Sequence, residues 1–251
     1  MNVDDTFHNT LVLPNIGEFI GSIVFSFLAC FCGQHQKSDL SYPVLTAVSL
    51  YISRSLVSHC TPAHFNPAVT ILQCIRRQIS TVLAISFIVV QLIGFTFGVA
   101  IFRSLVSQTE FNDDIIMYEL VESEGQRRVN RLQAFILEVV LTIIFLISFN
   151  NRNTKDASTN SIISLTWGFI QFVALPLFGF TSNISLLFVS SFISWVFSPT
   201  TTPSFSLLYL NVFAMIFSIF LAFFTDLVTR RSTRPSPTIQ PITLEKDNEL
   251  V

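Results

Sequence analysis

Charge is scarce in this chain. Asp, Glu, Lys and Arg together make up 12% of its 251 residues, where a soluble domain carries about 25%. Hydrophobic residues make up 51%, and mean hydropathy is +0.61. The class is therefore an all-α polytopic membrane protein. The formal net charge is −2 and no segment forms a basic domain, which argues against nucleic acid as a partner. Cysteine is sparse too, and all four residues (Cys30, Cys32, Cys60, Cys74) lie in or beside apolar stretches. Cys30-x-Cys32 has neither metal-site spacing nor a thioredoxin-like context. The four read as small apolar side chains, and no metal or other cofactor is expected. The opening MNVDDTFHNTLVLPN has no basic n-region and no small-residue cleavage site. The first apolar span is expected to serve as its own insertion signal.

What the chain does have is length of apolar sequence. Six stretches are long enough to cross about 30 Å of hydrocarbon. They are 14–33 (with Glu18), 42–62 (with Arg54), 79–103 (with Gln91 and Gly94), 131–150 (with Glu138), 160–178 (ending near Pro176) and 205–228. A charged loop covers 104–130, and Gly179–Phe197 is too interrupted by Ser and Asn to be a plain lipid-facing span. This divides the chain into a cytoplasmic segment 1–13, a membrane domain 14–229 and a disordered cytoplasmic tail 230–251. The tail is rich in proline and charge.

One stretch organises the rest. SHCTPAHFNPAVT, Ser58 to Thr70, follows the second span. Asn66 suits a helix N-cap, and Pro67 suits the first helical position, where a missing N–H costs nothing. A helix over 67–76 is too short to span a bilayer, so the segment is expected to be re-entrant. Such backbone is tolerated at membrane depth only where protein buries it or it lines a water-filled path. A repeat underlies the order. Glu18 is followed by Ser22 and Asn66, and Glu138 by Thr142 and Asn183. Each half holds two spans, a half-helix and a third span. Three spans per half is odd, so the halves are inverted, an arrangement that puts a solute path near the midplane. With the N-terminus inside, the inner segments hold Arg76, Arg77, Arg152, Lys155, Arg230, Arg231, Arg234 and Lys246. The outer ones hold Lys37, Arg103, Arg127, Arg128 and Arg131. The excess inside favours that orientation.

SHCTPAHFNPAVT resembles the first signature loop of the aquaporin (major intrinsic protein) family. Gly17-Glu18-Phe19-Ile20-Gly21-Ser22 is similar to the opening of that family's first helix, and Gln91-x-x-Gly94 to its third-helix pattern. Gln133-Ala134-Phe135-x-x-Glu138-x-x-x-Thr142 is similar to its fourth-helix pattern. The resemblance covers roughly 15–230. It implies six transmembrane helices plus two re-entrant half-helices in an inverted 3+3 repeat, with one pore per subunit of a homotetramer. It further implies a pore signature at Asn66, Pro67 and Ala68 in one half and at Asn183, Ile184 and Ser185 in the other. By offset from the two asparagines, the family's constriction falls on Thr46, Gln171, Phe180 and Leu186. Glu18, Glu138 and His64 are expected to brace the loops. A charge inside a span costs about 2.5–3.5 kcal/mol, so each carboxylate needs donors. His59 is expected to brace a loop as well.

The chain departs from the family at four places. The second signature should read Asn-Pro-Ala-Arg, but here it is Asn183-Ile184-Ser185-Leu186. The first-position Pro is lost, and the constriction loses its fixed positive charge. Glycerol-passing members carry an Asp where Leu187 stands, and the sixth span's Gly-Pro is Asn211-Val212. Arg54, twelve residues before Asn66, has three readings. It pairs with Glu18 or Glu138, it snorkels, or it faces the pore and replaces the charge lost at Leu186. Asn183-Ile184-Ser185 is a glycosylation sequon by pattern alone, because a half-helix start at membrane depth is no acceptor site.

The expected function is a passive channel for water or small neutral solutes such as glycerol, urea or hydrogen peroxide, with no enzymatic chemistry. The alternative is a non-conducting protein of the same fold with a structural or regulatory role. A pore that leaks ions is a third reading. The expected location is the plasma membrane, surrounded by lipid, with an intracellular membrane as the other choice.

Overall fold

The structure is a computed structural model that describes residues 7–32, 40–115, 120, 122–123, 126–149, 156–179, 181–197 and 204–232. Phe180, the tail from 233 onward, and the charges at Lys37, Arg152, Lys155, Arg234 and Lys246 lie outside the described residues.

Long apolar helices dominate. Helix α1 runs Leu13–Phe31 and is preceded without a break by a π-turn, His8–Val12. The helical segment thus starts before Pro14, and the wider turn accommodates the proline's missing N–H. Helix α2 is Ser41–Val57, and the first half-helix α3 is Pro67–Ile75. Helix α4 covers Thr81–Leu105. A short helix α5, Gln108–Asp114, lies in the stretch expected to be loop. A two-residue antiparallel pair follows, β1 (Glu122–Ser123) with β2 (Gln126–Arg127). Helix α6 is Arg131–Ser148, α7 is Ala157–Phe178, the second half-helix α8 is Ile184–Phe197, and α9 is Leu208–Ser232.

Five helices among the described residues are long and apolar enough to cross a bilayer. Helix α2 is the exception to the six expected. It has 17 residues, about 25 Å at 1.5 Å each, and Arg54 with several hydroxyl residues lowers its apolarity. It stops at Val57 rather than near 62, because the amides of Cys60 and Thr61 both turn back to the Val57 carbonyl. Helix α7 runs two residues past Pro176 and ends at Gly179, whose φ of 81° leaves helical space.

Outward faces are apolar. On α4, Val82, Ile85, Val89, Ile93, Phe97 and Ile101 recur at three- and four-residue steps and are exposed, a lipid-facing stripe. The inward side of α4 meets α1 at backbone distance. A Cβ on Gly94 would lie 2.7 Å from the Phe19 carbonyl oxygen, and one on Gly98 2.5 Å from that of Ile23. Small residues at such crossings let membrane helices pack without an aqueous driving force. In the other half, Ser218 of α9 donates to the Val139 carbonyl of α6 at 3.1 Å. These crossings hold the two half-helices between the long ones.

Candidate functional site

Two buried carboxylates organise the centre. Glu18 accepts four hydrogen bonds: Thr61 Oγ1 at 2.7 Å, the His64 amide at 2.8 Å, the Phe65 amide at 3.0 Å and Gln91 Nε2 at 2.8 Å. The carboxylate thereby clamps the chain that leads into α3 to α1 and α4. Glu138 accepts from Thr181 Oγ1 and, at 2.8 Å, from the Ser182 amide. The Ser182 hydroxyl in turn lies 2.9 Å from Thr142 Oγ1. In both halves the threonine is 43 residues beyond its glutamate. The inverted repeat is therefore in register at Thr61 and Thr181. It loses register only afterwards, because Asn66 follows five residues on and Asn183 only two. The shorter second loop offers Glu138 one backbone amide where Glu18 receives two.

These loops hold left-handed backbone at non-glycine residues. φ is 53° at Ala63, 45° at Phe65 and 64° at Ser182. Conformations of this kind cost of order 1–3 kcal/mol each and persist where the surroundings over-determine them. The carboxylates, through their amide bonds, supply that determination.

Each asparagine caps its own half-helix. Asn66 Oδ1 accepts from the Ala68 amide at 2.9 Å, the second helical position. Asn183 Oδ1 accepts from the Leu186 amide at 3.2 Å, the third position. The asparagines also cross. Asn66 Nδ2 donates to the Ser182 carbonyl at 2.5 Å, and Asn183 Nδ2 to the Phe65 carbonyl at 2.8 Å. Each amide thus reaches the residue just before the other. Two half-helix N-termini, each a partial positive charge, face one another at this junction.

His64 lies beside it. Its Nδ1 is 3.2 Å from Thr70 Oγ1, and its ring meets Phe87 and Phe149 edge-on at 5.7 and 6.4 Å. His59 differs from expectation: it is exposed, because α2 has already ended and the turn carries it outward.

The expected constriction residues have separate partners. Gln171 is clamped on the second loop, donating to the Thr181 carbonyl at 3.2 Å and accepting from its amide at 3.3 Å. Leu186 is fully buried in the first turn of α8. Thr46 is also buried, but its hydroxyl turns to the Pro43 carbonyl of its own helix at 2.9 Å. Phe180 lies outside the described residues.

Arg54 does not pair with either glutamate. Its Nε donates to Asn160 Oδ1 at 2.9 Å, its Nη1 donates to the Ala63 carbonyl, and its guanidinium carbon stands 4.9 Å from the Phe149 ring centre. It does not snorkel either, since it is 1% exposed. Both carboxylates are already occupied by loop donors, which leaves the arginine to neutral partners. The salt bridge described in this chain is elsewhere, between Arg76 at the end of α3 and Asp226 of α9, at 3.4 Å. Sequence reasoning missed Thr61, Thr181, Asn160 and Phe149. The equal 43-residue spacing was the available signal for the threonines. Nothing local marks the other two.

Residues 8–220 match the family model described as Major intrinsic protein. The chain belongs to that family, and it is an integral membrane protein. It is 28% identical over 176 residues to "Glycerol uptake facilitator protein-like 6" of Lactiplantibacillus plantarum, covering 67% of this chain and 78% of that one. It is 20% identical over 182 residues to "Probable aquaporin TIP2-1" of Oryza sativa subsp. japonica, covering 67% and 69%. Among solved structures it is similar to the aquaglyceroporin from Plasmodium falciparum, with a TM-score of 0.70 at 19% identity over 88% of this chain and 98% of that one. That last likeness speaks to the fold.

Proposed function

We propose that this chain is a passive channel for water and small neutral solutes, with a path that passes between the N-termini of α3 and α8. The observation that carries the reading is the reciprocal pair of asparagine bonds. Each side-chain amide has two N–H donors. One is spent on the opposite loop, at 2.5 Å from Asn66 and 2.8 Å from Asn183. The other remains for a passing oxygen. A water that accepts from both asparagines has its lone pairs engaged and its hydrogens turned outward, so it cannot hand a proton along the file. The facing helix dipoles oppose cations.

Thr46, Gln171, Phe180 and Leu186 are proposed as the narrowest ring. Of these, Gln171 has its amide committed to Thr181 and Leu186 brings only hydrocarbon. A ring of this kind favours neutral molecules with some apolar surface, and glycerol, urea and hydrogen peroxide are the solutes to test. A homotetramer in the plasma membrane completes the proposal. The exposed apolar groove between α2 and α7, lined by Pro43, Val44, Ala47, Leu165 and Phe169, suits a neighbouring subunit.

Iso-osmotic solute uptake by vesicles carrying the purified chain tests the substrate class. Swelling in glycerol, urea or peroxide faster than in empty vesicles supports it, and no acceleration with any of the three or with water removes it. A fluorescent fusion and native mass spectrometry in detergent check membrane and subunit number.

A further inference from the structure

We infer that Arg54 is the cation filter of this channel, placed on the side of the Asn66–Asn183 junction towards which α2 ends. The inference rests on the channel reading above and adds the residue that sets its selectivity.

The path on that side can be traced from peptide geometry. In a trans peptide, C=O and the following N–H point in opposite directions. The amides of His64 and Phe65 both point at Glu18. The carbonyls of Ala63 and His64 therefore point away from Glu18. The next carbonyl, that of Phe65, meets Asn183 Nδ2. Three successive carbonyls thus form a row of acceptors that ends at the asparagine junction. Arg54 donates to the first of them, Ala63. Its guanidinium stands where the row begins.

Helix α7 fixes the distance from the second loop. Asn160, Ser164, Trp167 and Gln171 are all buried and lie at helical spacing on one face. Asn160 holds Arg54, and Gln171 holds Thr181. Their separation of eleven positions corresponds to about 16 Å along the axis. Arg54 and the Gln171–Leu186 region therefore flank the junction from opposite sides.

The site keeps its charge. Asn160 is oriented by its own bonds to the Tyr51 carbonyl at 3.2 Å and Ser55 Oγ at 2.7 Å, which aims its oxygen at Arg54 Nε. Asn160, the Ala63 carbonyl and the Phe149 ring are all neutral. They orient the guanidinium without contributing an opposite charge, and the ring face attracts a cation. The nearby Glu18 carboxylate acts on the guanidinium across the Ala63–His64 peptide rather than by direct contact. Nη2 has no hydrogen-bond partner among the described residues, although the side chain is buried. A guanidinium has five donors in a fixed fork, and those on this nitrogen are unspent on the protein and enclosed within it. A fixed positive charge beside a narrow polar passage excludes cations, and Arg54 stands against the carbonyl at which the row begins. On the far side of the junction the first turn of α8, Ile184-Ser185-Leu186-Leu187, carries no charge.

The test uses the full chain in proteoliposomes, with bilayer current recording for cation leak beside stopped-flow water efflux. Arg54→Gln removes the charge and keeps an amide. It should raise cation leak about tenfold or more, the factor that about 1.4 kcal/mol of lost repulsion produces. Arg54→Lys should stay tight. Asn160→Asp puts a carboxylate on Nε, neutralises the guanidinium in place and should also leak. This variant gives the reading should Arg54→Gln not fold. Arg54→Gln with Leu186→Arg should regain exclusion, which a merely structural role for Arg54 does not explain. If Arg54→Gln and Asn160→Asp exclude cations as well as wild type while wild type conducts water, the assignment to Arg54 is overturned and the channel stands. If wild-type vesicles lose water no faster than empty ones, the channel reading falls and this inference with it.

Discussion

Asn66 and Asn183 each donate to the carbonyl of the residue immediately before the other, Ser182 at 2.5 Å and Phe65 at 2.8 Å. Each also caps its own half-helix. One side chain thus sets the start of its helix and its distance from the opposite helix. Removing either amide should uncouple the two. Asn66→Ala and Asn183→Ala should each lower stability in detergent by about 0.5–2 kcal/mol through the lost cap alone. Both should reduce water flux. Thermal unfolding and vesicle efflux on the same preparations check this.

The two carboxylates should not be equivalent. Glu18 accepts two backbone amides besides its side-chain donors, whereas Glu138 accepts one backbone amide beside threonine hydroxyls. Hydrogen bonds to a charged group contribute about 1.5–3 kcal/mol each. Glu18→Gln places an NH2 group against donors and should destabilise the fold more than Glu138→Gln. Melting of the two variants side by side decides it, and equal losses would contradict the account of the loops.

The second half-helix lacks the proline of the first. Ile184 occupies the first helical position, where a helix suits the φ that proline fixes and needs no N–H. Ile184→Pro should therefore be accepted and should stabilise by about 0.4–1 kcal/mol, acting through the unfolded chain. A drop in melting temperature would mean that the Asn183 turn differs from the Asn66 turn in more than sequence.

Arg76 and Asp226 tie the end of α3 to α9, with both side chains at most 2% exposed. Breaking a buried pair by removing one partner costs about 3–5 kcal/mol, because a charge is left behind. Asp226→Asn should be strongly destabilising, and Asp226→Asn with Arg76→Met should recover much of the loss. Unfolding of the single and double variants forms the cycle that checks it.

How far the sequence could be read depends on whether the signal was local. The start of α3 was legible because a cap residue followed by proline is a local signature. The long helices were legible because their apolar runs match the bilayer. Glu18 and Glu138 stood out as charges inside such runs. Helix α5 was missed although Ser107 and Glu110 form a capping box, with bonds of 3.2 and 2.9 Å. The Ser107 amide holds the Glu110 carboxyl below its usual range. That signature lies in the sequence and was obscured by the charge around it. The partners of Arg54 could not be read at all. Ala63, Phe149 and Asn160 come from a loop and the ends of two other helices. Only the crossing of those helices brings them to one guanidinium.

The central claim is a path between the two asparagines, and osmotic water efflux tests it most directly. Vesicles containing the wild-type chain, vesicles containing the Asn66→Ala, Asn183→Ala double variant and empty vesicles are shrunk in the same gradient. The account expects wild-type vesicles to shrink clearly faster than the other two. Wild-type vesicles that shrink at the rate of empty ones, with the chain folded and inserted, would contradict it.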